Sequence, residues 1–413
     1  MPVAIETVAR VVGVTTSQWA VRAESFGSVA DSYERYRPGY PAEAVEWLVG
    51  DQPARVLDLG AGTGKLTRAL VVAGHDVTAV EPSEPMLAEL RSALPGVDAR
   101  VGSAEAIPAD DASFDVVIVA QAFHWFDKSV AVPEIARVLC PGGRFALVWN
   151  LRDESEPWVR AIWSVIAPDE PRVILHAELP NGAPLSPMEN ATFAHSQRVD
   201  RETVLGLALS RSYVASAPPE RQAELLNAAG SVFDRLTAGH ATLPYVTHCY
   251  RTERLARRAA RVILVDSESR VMLQKYARHG GDSDVWITPG GGLDPGESPP
   301  VAAARELYEE AGLQVDPAEL GPMVATSSGR ADLGWASGLF RDDFYVYRTD
   351  ITDVSPTHLS DLEIRLFLEA RWWTVDELAT TSEVVYPLGL VDLVRSLVAG
   401  HRPESPIELP WYD

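Results

Sequence analysis

The sequence predicts an α/β protein of two domains, the first built on a doubly wound parallel sheet and the second a smaller α/β unit. Three observations carry this reading. Strand and helix patterns alternate from Arg55 to Trp149, at a spacing that suits parallel strands joined by helical crossovers. The alternation changes character after Asn150 and restarts at Ala260. The 413 residues are long for one hydrophobic core and comfortable for two.

Residues 1–20 have no clear period and read as an N-terminal extension. Arg55–Leu59 then reads as a buried strand, Lys65–Ala73 as a helix and Asp76–Val80 as the next strand. Glu84–Ser92 is predicted helical, Ala99–Val101 a short strand and Phe114–Ala120 a strong apolar strand. Val130–Leu139 follows as a helix, which Pro141-Gly142-Gly143 is predicted to stop before the strand Arg144–Trp149. Beyond it, Trp158–Ile166, Arg201–Tyr213 and Pro219–Leu236 read as helices, and Ala191–Val199 and Thr242–Tyr250 alternate like two later strands. The basic run Arg251–Arg258 lacks Pro and Gly, so a helical link is one option there; the boundary is placed in it, giving domains 21–253 and 254–413. A hairpin of Ala260–Val265, turn Asp266–Ser269 and Arg270–Gln274 opens the second domain. A strand Val285–Thr288 and a helix Val301–Glu310 follow. Pro299 and Pro300 stand at the start of that helix and Gly312 at its end.

Composition narrows the function classes. A formal net charge of −22 weakens the case for a nucleic-acid polymer as partner. No apolar run approaches the roughly 18 residues of a membrane span, and the first residues lack a signal-peptide pattern. With Cys140 and Cys249 alone no disulfide framework is possible, so a reducing, cytoplasmic setting is expected.

A first candidate site lies at Asp58-Leu59-Gly60-Ala61-Gly62-Thr63-Gly64, where a strand runs into a helix. The glycines allow tight turns and close approach of a ligand. Glu81 ends the next strand and is placed to accept both ribose hydroxyls of an adenosine. A pyrophosphate would be repelled by Asp58 at the mouth of the loop, whereas an ammonium or sulfonium would be attracted. The plain alternative is a tight turn with no ligand.

These residues resemble the class I S-adenosylmethionine-dependent methyltransferases, specifically the small-molecule "type 11" group. The resemblance spans about Phe26 to Arg254 and rests on VLDLGAGTGKLT (Val56–Thr67), VTAVEPSEPMLAEL (Val77–Leu90), GSAEAIP (Gly102–Pro108), FDVVIVAQAFHWFD (Phe114–Asp127) and RVLCPGGRFALVWN (Arg137–Asn150). It implies a Rossmann-like fold with S-adenosylmethionine lying on Gly60–Gly64. Glu81 and Pro82 would sit at the ribose and Met86 near the adenine. Ser103, Ala104 and Glu105 would edge the ring, and Gln121 would lie near the methionine part. The acceptor is expected to be a small molecule. His124 is the best-placed base if the acceptor must lose a proton, although His124-Trp125-Phe126 reads more readily as a packing motif. Tyr33, Arg37 and Tyr40 resemble the family's N-terminal lid and would touch the cofactor carboxylate or the acceptor, or merely cap the domain.

A second candidate site lies on the predicted helix Val301–Glu310. Glu306, Glu309 and Glu310 are spaced i, i+3, i+4 and share one face, where like charges repel unless a cation lies between them. Arg305 can brace a glutamate through a bidentate pair. A solvated acidic face is the alternative for those residues alone. The stretch Gly291–Leu313 nevertheless matches the Nudix signature G-x5-E-x7-R-E-U-x-E-E-x-G-U (U aliphatic) at Gly291, Glu297, Arg305, Glu306, Leu307, Glu309, Glu310, Gly312 and Leu313. The resemblance covers about Arg257 to Val398. It implies an α/β/α sandwich that hydrolyses a nucleoside diphosphate linked to a further group. Glu306, Glu309 and Glu310 would bind Mg²⁺ or Mn²⁺, with Arg305 and Glu297 bracing them. Glu363 is the candidate general base, with Glu309 as rival. Trp286, Phe344, Tyr345, Tyr347, Trp372 and Trp373 are candidates for stacking a flat substrate group, one or two at most. The sequence thus points to a bifunctional enzyme; the alternative is that one domain is a ligand sensor and only the other is catalytic.

Overall fold

The structure is a computed structural model that describes residues 35–167, 177–180, 183–215, 217–277, 284–294, 296–332, 337–354, 356 and 361–411. The predicted extension 1–20 and Tyr33 lie outside the described residues. The chain divides into two compact units, 1–254 and 255–413.

The first unit is a seven-stranded sheet in the order β3-β2-β1-β4-β5-β7-β6. The strands are β1 (Arg55–Leu59), β2 (Asp76–Glu81), β3 (Asp98–Val101), β4 (Phe114–Ala120), β5 (Leu139–Arg152), β6 (Glu189–Asp200) and β7 (His240–Glu253). β1 to β5 are mutually parallel, while β7 runs antiparallel to both β5 and β6. Alternation along β1 explains why both faces are covered. Leu57 and Leu59 meet Val132 and Ile135 of the helix Lys128–Val138 on one side. Val56 meets Leu66 and Leu70 of the helix Lys65–Val72 on the other. A separate cluster packs the helices Pro157–Ile166, Arg201–Leu209 and Pro219–Leu236 through Ile162, Leu207 and Phe233.

Three local expectations are corrected. Pro141-Gly142-Gly143 does not precede β5 but lies inside it. The pairing of β4 with β5 shifts register there, and Gly142 takes a φ of +74° while its N–H donates to Arg254 O. The predicted helix Arg201–Tyr213 ends at Leu209, because the Ser210 hydroxyl turns back onto Leu207 O. The basic run Arg251–Arg258 is extended rather than helical. Arg251 pairs along the sheet with Ala146 and Glu189, binds the Glu189 carboxylate at 2.7 Å and lies over Trp47.

The second unit is built around β8 (Leu255–Asp266), in a sheet ordered β15-β10-β9-β8-β13-β12-β16. β9 is Val271–Tyr276, β10 Val285–Ile287, β11 Gly290–Gly292, β12 Ala325–Asp332 and β13 Ser337–Thr349. β14 is Phe367–Trp373, β15 Val384–Tyr386 and β16 Ile407–Leu409; β11 also pairs with β8, and β14 with β9. Ala260, Val262 and Leu264 face the helix Pro299–Ala311 through Ala302, Ala303 and Leu307. Ile263 and Val265 face the helix Leu390–Val398 through Leu393, Val394 and Leu397. One strand thus separates two helical layers, an α/β/α sandwich. No helix among the described residues is long and apolar enough to cross a membrane.

Candidate active sites

In the first unit the sheet order reverses at β1, which has β2 on one side and β4 on the other. Ligand crevices form outside the carboxyl ends of strands at such a point. The glycine loop occupies it. Gly60 N and Ala61 N donate to Val80 O at 2.8 and 3.1 Å, drawing the loop over the end of β2. Gly60 has a φ of +73°, and a Cβ there would stand 3.0 Å from that of Ala122, so glycine serves both the turn and the close packing. Glu81, largely buried, accepts from Gly62 N and Ser83 N, each at 2.9 Å, and burial raises its carboxyl pKa. Met86 Sδ lies beside Gly62.

Asp58 departs from its expected place. It is not at the mouth of the loop but fully buried beneath it, because the β1 alternation turns it toward the helix Lys65–Val72. There Thr67 Oγ1 donates to Oδ2 at 2.6 Å, while Oδ1 is buried without a hydrogen-bond partner. Burial pushes this carboxyl up to about 7; Thr67 opposes the shift and the Glu81 charge adds to it.

Gln121 follows β4 with a left-handed φ of +61°, its N–H donating to Val148 O. It lines an open cleft of about 460 Å³, counting solvent at the mouth, with Arg37, Tyr40, Lys65, Asn150, Arg152, Trp163, Arg211 and Tyr245 among the walls. His124 does not line this cleft. It is exposed on the short turn Phe123–Trp125 and leans on Trp125, which fits packing better than proton transfer. Phe126 packs beside Gly60. Ala104 is buried, Ser103 pairs with Ala106, and the Glu105 carboxylate accepts from Asp127 N at 3.0 Å.

In the second unit the helix Pro299–Ala311 starts at its prolines and ends on Gly312, whose φ of +71° closes it. It rests on the glycine strip β11. Glu310 is buried and turns inward, accepting from Gly290 N at 2.6 Å and from Tyr276 OH at 3.1 Å. Arg305 Nη1 bridges Glu306 at 2.8 Å and Glu309 at 3.1 Å; its Nε and Nη2 both meet Glu297 at 3.0 Å. Among the described residues no three acidic, histidine or cysteine side chains gather as a metal centre. The three glutamates share the helix face, as the spacing predicts, but in this arrangement Glu306 and Glu309 turn to Arg305 while Glu310 turns to Gly290 N and Tyr276 OH. Their chemistry still fits a hard divalent ion: all the donors are carboxylate oxygens. A Cβ at Gly291 would stand 2.6 Å from the Glu306 carboxyl carbon, so the strip is shaped around that carboxylate.

Comparisons with known proteins find relatives of both units. The family model described as "Methyltransferase domain" matches residues 57–147, and the one described as "NUDIX domain" matches residues 255–388. An uncharacterized methyltransferase of Mycobacterium tuberculosis is 45% identical over 231 residues, 55% of this chain and 94% of its own length. One from Mycobacterium bovis is similar to the same extent. An uncharacterized methyltransferase-like protein of Schizosaccharomyces pombe is 38% identical over 47% of this chain and 79% of its own. The chain is a class I methyltransferase fused to a Nudix domain.

In the methyltransferase unit, the structure brings together the glycine loop, Glu81, Ser83 and Met86, and sets Gln121 in the neighbouring cleft. Asn150, Arg152, Arg211 and Tyr245 escaped the sequence reading because they come from segments far apart in the chain, whereas Lys65 directly follows the glycine loop. In the Nudix unit, Glu363 lies in the helix Asp361–Leu366, and its side chain is outside the described residues. Trp286, Phe344, Tyr345 and Trp373 are core residues, which removes them as stacking surfaces, while Tyr347 and Trp372 are half-buried. The sequence reading also missed buried pairs behind the glycine strip. Arg261 binds Asp342 at 2.8 Å and the carbonyls of Thr288 and Gly290, and Arg258 binds Asp343 at 2.6 Å. Charges on central strands were the available signal.

Proposed function

We propose that the first unit transfers the methyl group of S-adenosylmethionine to a small molecule, and that the second hydrolyses a nucleoside diphosphate linked to a further group with Mg²⁺ or Mn²⁺. Each activity belongs to its own unit, with the boundary near Arg254. Free Cys140 and Cys249 suit a reducing cytoplasm.

The observation that carries the first half is the pair of buried acids at the glycine loop. Glu81 holds the loop through Gly62 N, and each of its oxygens can still accept from a ribose hydroxyl. Asp58 puts a buried, incompletely satisfied carboxyl below the same turn. Gly60 to Gly64 with Ala61 and Thr63 would carry the ligand, Met86 and Pro82 would flank the nucleoside, and Ser103, Ala104 and Glu105 would edge it. Bound S-adenosylmethionine would supply an already activated methyl group. The residues around the cleft then need chiefly to align the acceptor.

For the second half, Glu306, Glu309 and Glu310 would hold the metal, which would neutralise the diphosphate and activate water. Arg305 and Glu297 fix the direction of Glu306 and Glu309 from behind, and Gly290 N with Tyr276 OH fixes Glu310. Glu309 and Glu363 are the two candidates for the base.

Calorimetric titration with S-adenosylhomocysteine should show binding to the full chain and its loss in Glu81→Ala. Metal-dependent release of nucleotide from a panel of nucleoside diphosphate derivatives should vanish in Glu309→Gln. Unchanged binding in the first variant, or unchanged release in the second, refutes the corresponding half.

A further inference from the structure

The cleft beside Gln121 stands out against the charge of the whole chain. The protein carries a net charge of −22, yet Arg37, Lys65, Arg152 and Arg211 line this one cleft, and among the described residues no aspartate or glutamate does. The guanidinium groups are set by the fold. Arg37 is held by Ser210, through Oγ at 3.0 Å and the carbonyl at 3.1 Å. Arg152, at the end of β5, lies over the Trp163 ring at 4.7 Å and meets Glu154 at 2.9 Å. Arg211 makes no ion pair among the described residues. Arg37, Arg152 and Arg211 all act electrostatically on the buried phenol of Tyr245, which places their charges around one point of the wall. Concentrating like charges in a half-buried cleft is unfavourable unless an anion joins them.

Resting on the methyl-transfer reading above, we infer that the methyl acceptor is a small anion, recognised through carboxylate or phosphate groups by Arg37, Arg152, Arg211 and Lys65. The cofactor does not account for this charge. Arg152 already has the Glu154 carboxylate beside it, and S-adenosylmethionine carries one carboxylate, set against its own ammonium and sulfonium, so one further cation can serve the cofactor. The remainder face the acceptor. Arginine forks match oxyanions in pairs of hydrogen bonds, and a planar acid fits them better than a neutral or cationic molecule.

Among the described residues that line the cleft, none is a histidine or carboxylate able to remove a proton. An ionised oxygen needs none. One of its lone pairs forms the new bond to the methyl carbon as the carbon–sulfur bond breaks. The bonding pair returns to sulfur; the acceptor loses one negative charge as its ester forms, and the sulfonium becomes a neutral thioether. The exposed position of His124 is consistent with such a reaction.

The test uses the full chain saturated with S-adenosylhomocysteine, titrated with citrate, glycerol 3-phosphate, glycerol and choline. Binding of citrate or glycerol 3-phosphate, but not of glycerol or choline, is expected. The two anions separate a carboxylate from a phosphate preference. With S-adenosylhomocysteine kept saturating, Arg211→Gln should weaken the anion by about tenfold or more, with Arg211→Lys intermediate. Failure of S-adenosylhomocysteine itself to bind would strike the underlying methyl-transfer reading. Normal S-adenosylhomocysteine binding with neither anion bound, with glycerol or choline bound as tightly, or with Arg211→Gln indistinguishable from wild type, would overturn the anion proposal alone.

Discussion

Asp58→Asn should change how the stability of the methyltransferase unit depends on pH. The Asp58 carboxyl is fully buried and its pKa is pushed up to about 7, against 3.8 when solvated. Between those values the folded unit keeps a proton that the unfolded chain has lost. Folding stability therefore falls as pH rises through this window, by about 1.4 kcal/mol per pH unit. The two values lie about 3 units apart, so ionised Asp58 costs roughly 4 kcal/mol once the pH is above about 7. Asparagine has the same shape, keeps an oxygen for Thr67 and carries no charge. The variant's advantage should grow by roughly 2 kcal/mol between about pH 5.5 and about pH 8. For a unit of this size that is about 4–8 °C in melting temperature. Glu81, also raised by burial, adds a slope of the same sign to both proteins, and this largely cancels in the difference. Thermal unfolding of the full chain followed by tryptophan fluorescence measures the effect, with the relevant transition identified by its shift in S-adenosylhomocysteine. Parallel pH profiles for the two proteins would refute the reasoning.

Two further outcomes are expected in the Nudix unit. Gly291→Ala places a Cβ 2.6 Å from the Glu306 carboxyl carbon, but that group ends a flexible side chain. The variant should unfold within about 1 kcal/mol of wild type in urea while losing most metal-dependent hydrolysis, and full activity would refute this. Leu307 is fully buried among Ala260, Val262 and Leu264, so Leu307→Ala should cost about 2–5 kcal/mol in the same measurement; a loss under about 1 kcal/mol would show that the helix is not seated there.

The strands of the parallel sheet were legible because burial on both faces makes them continuous apolar runs, as in Val116–Val119. The glycine loop and the glutamate helix were legible because their chemistry is local in sequence. Where reading failed, long-range pairing decided. Pro141-Gly142-Gly143 is a stop signal by itself, yet it bulges within β5 between the Phe114–Leu139 and Val116–Arg144 pairs and is tied by Gly142 N and Gly143 O to the backbone of Arg254. The direction of Asp58 followed from the strand's alternation, but its burial depended on Thr67, nine residues away on a helix. Of the cationic cleft only Arg37 and Tyr40 were legible, through the resemblance of their segment to the family's lid, since Arg152 and Arg211 lie far from it in the chain.

The alanines at 302 and 303 set how far the chemistry of the Nudix unit can drift. Ala302 and Ala303 put only methyl groups between the first half of the helix Pro299–Ala311 and the sheet, so a larger side chain at either position would lift the helix. Its carboxylates would then rise off the glycine strip together. New substrate preferences in this unit should accordingly arise by altering the loops around this seat, while the height of the seat stays constant.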